Sequence, residues 1–281
     1  MKRMLVSKVL NNNVIIADDP QYGEVVAIGK GIGFGRAERD SIEPEAAEKM
    51  FILRSRREQE QYKQLLPQVD EKLIEVMNEA IQTIGARSAS PLNEHIHVAL
   101  TDHIAFALKR IEQGIMFQNP FLYETKEIYP EEYELAEYVV GLIEDRLGTS
   151  LGPDEVGFVA LHIHSAITNR PIGEVRGHSE LISDLVDLIE QNIEGGLNRG
   201  SLDYSRLLTH LRFAIERVCR GEEVRSTNRL EELLAREYPE MYSLAWKLTK
   251  VMEKRLGLPV YKAESSYLTV HLQRLADKEA L

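Results

Sequence analysis

An internal duplication constrains the fold of this chain more than any other feature of its sequence. At an offset of 107 residues, His103, Phe106, Ala107, Leu108, Arg110, Ile111 and Gly114 face His210, Phe213, Ala214, Ile215, Arg217, Val218 and Gly221. The offset then becomes 109: Tyr129-Pro130-Glu131 matches Tyr238-Pro239-Glu240, and Arg146-Leu147-Gly148 matches Arg255-Leu256-Gly257. At that offset Glu155, Phe158, Leu161, His162 and Ile163 meet Glu264, Tyr267, Val270, His271 and Leu272. A two-residue loop insertion accounts for the change. Such a period is too long for a solenoid repeat, so each copy is a domain with its own core, expected at 60–170 and 171–281.

The duplicated body reads as helical. Leu66, Val69, Leu73, Val76, Met77 and Ile81 recur with a period near 3.6, and amphipathic stretches follow at Val98–Ile111 and Leu135–Leu147. Gly148 is placed to end the latter as a C-cap. Ahead of residue 60 the pattern differs: short apolar runs at Met4–Leu10, Val14–Ala17 and Val25–Ile28 predict strands. Asn11-Asn12-Asn13 and Asp18-Asp19-Pro20 through Gly23 supply the turns, because Asn tolerates left-handed backbone angles. Glycines recur at 29, 31, 33 and 35, a helical or extended stretch ends near Leu53, and Arg54-Ser55-Arg56-Arg57-Glu58 reads as a linker. The expected fold class is multidomain α+β: a small antiparallel β domain over 1–57, then two homologous all-α helical bundles.

Charge separates the same regions. The net charge is -11, yet residues 1–55 hold eight Lys plus Arg against eight Asp plus Glu, so the acidic excess lies entirely in the helical body. A single cysteine, Cys219, excludes an intrachain disulfide and any multi-thiolate zinc site within one chain. The start Met1-Lys2-Arg3-Met4 lacks the apolar core of a signal peptide, and no apolar run reaches the roughly 20 residues that span a bilayer. A cytoplasmic protein without membrane insertion is expected.

Four of the eight histidines, His103, His162, His210 and His271, fall at equivalent places in the two copies. Inherited packing or capping residues are one explanation. No nearby Ser, Cys or Lys nucleophile with a fixed acidic partner accompanies both copies, so a hydrolytic triad has little support. His95 and His97, like His162 and His164, are two residues apart and on a helix point roughly 200° from each other, which argues against local metal chelation. No catalytic residue, metal or cofactor is expected. His97, His164 and His178 have no counterpart in the second copy and are expected to be solvated or packing residues.

Taken together, these features resemble the BglG/SacY/LicT family of transcription antiterminators over essentially the whole chain. The resemblance is carried by Val6-Ser7-Lys8-Val9-Leu10-Asn11-Asn12-Asn13, by Gly29-Lys30-Gly31-Ile32-Gly33-Phe34, and by the histidines in Thr101-Asp102-His103, Ala160-Leu161-His162, Leu208-Thr209-His210 and Thr269-Val270-His271. Leu92-Asn93-Glu94-His95-Ile96-His97 looks most like the glucose-specific branch. The resemblance implies a co-antiterminator RNA-binding domain followed by two phosphotransferase-system (PTS) regulation domains. It implies a homodimer that grips a leader-mRNA hairpin and prevents terminator formation. It further implies phosphorylation of the four histidines, by the sugar-specific permease (enzyme II) on the first regulatory domain and by the phosphocarrier HPr on the second. The matching RNA-contacting positions are Lys8, Asn11, Asn13, Gly29, Lys30, Gly31 and Phe34. Their side chains and backbone suit RNA contact, since Lys reaches phosphates, Asn reads base edges, Gly admits close approach, and Phe stacks on an unpaired base. Two alternatives remain open: a helical metal-dependent phosphohydrolase, suggested by Asp102-His103, and a DNA-binding activator with the same body, disfavoured by the absence of a helix-turn-helix before residue 60.

Overall fold

The computed structural model describes residues 3–51, 60, 64, 65, 69–223 and 228–279. By its internal contacts the chain divides into two units, Met1–Gln118 with Glu134–Arg170, and Asn119–Tyr133 with Pro171–Leu281.

The first unit opens with a sheet of β1 (Met4–Asn11), β2 (Val14–Asp19), β3 (Gly23–Ile28), β4 (Ser41–Ile42) and β5 (Lys49–Phe51). The strands run antiparallel in the order β4-β1-β2-β3-β5. Alternation places Met4, Val6, Ile15, Ala17, Val25 and Ala27 in one core cluster, closed by Ile32 and Ile42. The three longer strands are those the apolar runs predict. β4 and β5 are not separable in the sequence because two or three residues carry no periodicity. The stretch that reads as helical or extended resolves into a single 3-10 turn, Pro44–Ala46, followed by β5. The linker expected at 54–58 lies outside the described residues.

Ten helices are described after the sheet: α1 (Glu71–Arg87), α2 (Ile96–Glu112), α3 (Leu122–Ile128), α4 (Pro130–Leu147), α5 (Pro153–Thr168), α6 (Ile172–Glu190), α7 (Leu202–Arg220), α8 (Asn228–Glu237), α9 (Pro239–Leu256) and α10 (Lys262–Glu279). Local chemistry sets their limits. The Asp70 side chain accepts the Lys72 N–H at 2.8 Å and starts α1, while Gly148, at φ +72°, ends α4 in the left-handed region. α1 buries Leu73, Ile74, Val76, Met77, Ala80, Ile81 and Ile84 on one face, which includes most of the periodic residues noted above. The duplication reappears in the elements, since α4 and α9 begin at 130 and 239 and α5 and α10 at 153 and 262.

Duplication and contact do not share one boundary. Asn119–Tyr133, expected within a first domain of 60–170, groups with the second unit. The cause is a buried polar cluster: Glu124 is 1% exposed, and its Oε1 accepts from Tyr204 Oη at 3.1 Å and Arg199 Nη1 at 3.3 Å. Tyr123 Oη adds a bond to the Arg199 carbonyl at 2.7 Å, and Ser205 Oγ one to Glu127 at 2.7 Å. A buried carboxylate with this set of donors fixes the short helix α3 against α6 and α7.

Candidate functional site

Two kinds of site are built from the residues singled out in the sequence. The first is a pair of loops at one end of the sheet. The β1–β2 turn is locked by its own side chains, with Asn13 N–H donating to Asn11 Oδ1 at 2.9 Å. The glycine loop docks on it: Gly29 N–H reaches the Asn13 carbonyl at 3.0 Å, Gly33 N–H the Asn12 carbonyl at 2.9 Å, and Gly31 N–H the Asn13 Oδ1 at 2.7 Å. Glycine is required at both position 31 and position 33. Gly31 has φ +69°, and a Cβ at Gly33 would collide with the Asn11 carbonyl oxygen. The loop leaves Phe34 75% exposed, outside the core, with Lys8 and Lys30 exposed nearby in the same domain. Lys8, Asn11, Asn13, Gly29, Lys30, Gly31 and Phe34 thus belong to β1, its turn and the loop bonded to that turn. An exposed ring, two lysines and a rigid polar turn suit an unpaired base and a phosphate backbone.

The second site occurs twice. In the first unit, α2 carries His103 and Arg110 seven residues apart on one face, and α5 carries Glu155 and His162 with the same separation. His103 Nε2 meets Glu155 Oε2 at 2.9 Å, Arg110 Nη2 donates to Glu155 Oε1, and the His103 and His162 rings lie 4.8 Å apart. In the second unit, α7 carries His210 and Arg217, and α10 carries Glu264 and His271. The rings of His210 and His271 are 4.7 Å apart, and Arg217 grips Glu264 through Nε at 2.9 Å and Nη2 at 2.8 Å.

Electrostatics keeps the deeper imidazoles neutral. Burial, followed by the nearby His103 and His95, pushes His162 down to about 3; burial and then His210, Arg274 and Arg206 push His271 down to about 4. Burial raises both carboxyls, but the hydrogen bonds and charges of His103 and Arg110 hold Glu155, and the hydrogen bonds of Arg217 together with the nearby His210 hold Glu264, below the ordinary carboxylate value. A neutral His103 whose Nε2–H donates to Glu155 carries its lone pair on Nδ1. All four histidines are half-buried, so they remain reachable from solvent. A neutral, oriented, accessible imidazole is a competent nucleophile toward an activated phosphoryl group.

Sequence reasoning singled out the histidines and missed Glu155, Glu264, Arg110 and Arg217 as site residues, although the duplication had already aligned them. Their identity in both copies was the available signal. His97 and His164 are buried at 7% and 8% exposure, and His178 Nε2 lies 3.6 Å from Cys219 Sγ. Asp102 is exposed, and the carboxylate bonded to His103 is that of Glu155. Among the described residues no group of three His, Cys, Asp or Glu is placed to hold a metal. No described helix is long and apolar enough to cross a membrane.

Residues 4–60 match the CAT RNA-binding domain, and residues 78–166 and 183–275 each match the PRD domain. The chain is 51% identical to the PtsGHI operon antiterminator of Bacillus subtilis, over 97% of each chain. It is 35% identical to the GlcA/glcB genes antiterminator of Staphylococcus carnosus, over 99% of this chain and 98% of that one. Among solved structures, the crystal structure of a GlcT CAT-PRDI fragment superimposes with a TM-score of 0.55 at 55% identity, covering 59% of this chain and 99% of the fragment.

Proposed function

Because the chain belongs to the antiterminator family that joins a CAT RNA-binding domain to PRD domains, and is an RNA-binding transcription antiterminator regulated by the PTS, we propose that His103, His162, His210 and His271 are its phosphate acceptors. One observation carries this reading: the same quartet of two histidines, a glutamate and an arginine is assembled in both units from equivalent helices. Packing alone gives no reason for two imidazoles to stay partly exposed and in ring contact in both units. The donor protein supplies the activated phosphoryl group, so the chain needs only an oriented nucleophile and acts as a regulator rather than a catalyst.

The donors in this reading are the sugar permease, of the glucose class, for the first regulatory domain and HPr for the second. The domains run 1–57, 60–170 and 171–281. Lys8, Asn11, Asn13, Gly29, Lys30, Gly31 and Phe34 contact a leader hairpin, and two copies of the chain hold it together. Exposed Phe106 and Phe213, equivalent under the duplication, lie one helical turn from His103 and His210 and supply apolar surface for self-association. About two added negative charges beside such a surface would weaken or strengthen assembly according to what faces them.

Phosphopeptide mapping that avoids acid, with the permease domain and HPr supplied separately, tests the assignment. Phosphate confined to His103 and His162 with the permease, and to His210 and His271 with HPr, is the expected result; label at other residues overturns it.

A further inference from the structure

We infer that the first turns of α1 act as an internal competitor for RNA, with Glu71 and Glu75 occupying the donor groups of the β1–β2 turn that an RNA acceptor would otherwise take. This inference rests on the RNA-binding reading of that turn.

The turn's own bonding sets up the competition. Asn11 Oδ1 is spent on the Asn13 N–H, and Asn13 Oδ1 on the Gly31 N–H, so the acceptors of both side chains face inward. The Asn12 and Asn13 carbonyls are likewise taken by Gly33 N–H and Gly29 N–H. Two donors of the turn that point to an outside molecule are the Asn12 N–H and the Asn13 Nδ2. Donors of this kind bond to phosphate oxygens or to base carbonyl and ring-nitrogen acceptors.

Both donors are filled from α1. Asn12 N–H donates to Glu71 Oε1 at 3.0 Å, and Asn13 Nδ2 donates to Glu75 Oε1 at 2.9 Å. The two glutamates are four residues apart and therefore share one helix face. Like charges at this spacing destabilise a helix by themselves. Among the described residues neither carboxylate pairs with a lysine or arginine, so the loop donors are what they bond. Each contact places an anion where the RNA backbone would bring another, and at physiological salt that repulsion reaches about 8 Å. RNA and α1 cannot hold these two donors together. The acidic turn must withdraw for the hairpin to seat, which couples the position of a helix in the regulatory region to the exposure of the RNA-binding loop.

The experiment uses the full chain and a synthetic hairpin from the Bacillus subtilis ptsGHI leader, with a scrambled hairpin for reference. The variant Glu71→Ala/Glu75→Ala is expected to bind the leader hairpin about tenfold more tightly than the wild type, as expected for releasing two hydrogen bonds of ordinary net strength. Glu71→Gln/Glu75→Gln, which keeps an acceptor and loses the charge, is expected to fall between them. Glu79→Ala on the same helix, whose carboxylate bonds Arg146 instead, is expected to match the wild type. Without RNA, amide hydrogen exchange at Asn12 is expected to accelerate in Glu71→Ala.

Unchanged or weaker binding by both double variants, with circular dichroism and melting temperature preserved, overturns the competitor. In that case Asn13→Ala still loses selective binding and the RNA-binding reading stands. If no version distinguishes the leader hairpin from the scrambled one, the reading of the loop fails and the competitor fails with it. Selective binding that emerges only in the double variants supports the competitor most directly.

Discussion

Glu155 and Glu264 occupy equivalent positions, yet they serve different partners. In the first unit the carboxylate is divided, one oxygen on His103 at 2.9 Å and the other on Arg110, which is 5% exposed and lies 3.8 Å from the Phe117 ring centroid. In the second, Arg217 takes both oxygens at 2.8 and 2.9 Å, and His210 Nε2 is left 3.6 Å away, beyond a hydrogen bond. The surroundings diverge too. His95 adds its charge near His162, whereas Arg206 and Arg274 do so near His271, with Asp203 opposing them. Duplication preserved the four side chains while changing what the glutamate does. It orients an imidazole in the first unit and anchors an arginine in the second.

The largest consequence concerns control of readthrough. If the first quartet is the inhibitory switch, His103→Ala with His162→Ala is expected to give readthrough without sugar equal to that with sugar. His210→Ala with His271→Ala is expected to leave the sugar response in place. Replacement by Asp reproduces only part of the effect of phosphate, about one negative charge against roughly two. Readthrough measured with and without sugar, alongside oligomeric mass, checks both; persistent sugar control in the first double variant would mean that the first quartet is not the switch.

Much of this comparison is legible in the sequence, and the unread part has physical causes. The duplication aligns His103 with His210 and Glu155 with Glu264, and the apolar runs locate β1, β2 and β3. The division of Glu155 between two partners was not legible, because the same four residue types permit either hydrogen-bond arrangement. Nor was the placement of α3: its seven residues are too few for a periodic apolar face, and its destination is decided by Glu124 meeting Tyr204 and Arg199 far along the chain. The contacts of Glu71 and Glu75 with the β1–β2 turn were equally silent, since exposed acidic residues at a helix start normally need only the helix dipole to explain them.

Stability should separate the two glutamates next. Glu155→Gln leaves Arg110 buried without a counter-charge and is expected to cost about 3 kcal/mol, the lower end of the range for breaking a buried ion pair. Arg217 has a side chain 26% exposed and can recover hydration, so Glu264→Gln is expected to cost only about 1 kcal/mol. Urea denaturation of the full chain measures the difference, and equal losses would mean that the two arginines are equally dependent on their carboxylates.

The histidines predict a pH dependence of known sign. Lowered folded values mean that the unfolded chain binds protons first, so each contribution is fully present above the ordinary 6.5 and is lost as pH falls through the folded value. For His162 the loss runs from 6.5 down to about 3, and for His271 it ends near 4. Glu155 and Glu264, also lowered, add losses in the same direction at the acid end. Between pH 6.5 and 4, His162→Gln and His271→Gln are therefore each expected to flatten the fall of the denaturation midpoint. Below 4 only the His162 variant is expected to differ further from the wild type.

The smallest effect isolates the surroundings of the second quartet. Arg206 and Arg274 both help to hold His271 low, but burial and His210 precede them in weight, and the Arg206 side chain is 58% exposed with Asp203 at 3.2 Å. Arg206→Ala is therefore expected to raise the His271 titration only slightly in a proton NMR pH series. His210→Ala is expected to raise it more. Because the Arg206 charge acts through solvent, added salt should erase its share while leaving the burial contribution intact, since the screening length falls to about 3 Å at 1 M. A salt-insensitive change in Arg206→Ala would instead mean that the arginine shapes the packing around His271. The contrast with His95 in the first unit would then be one of shape rather than charge.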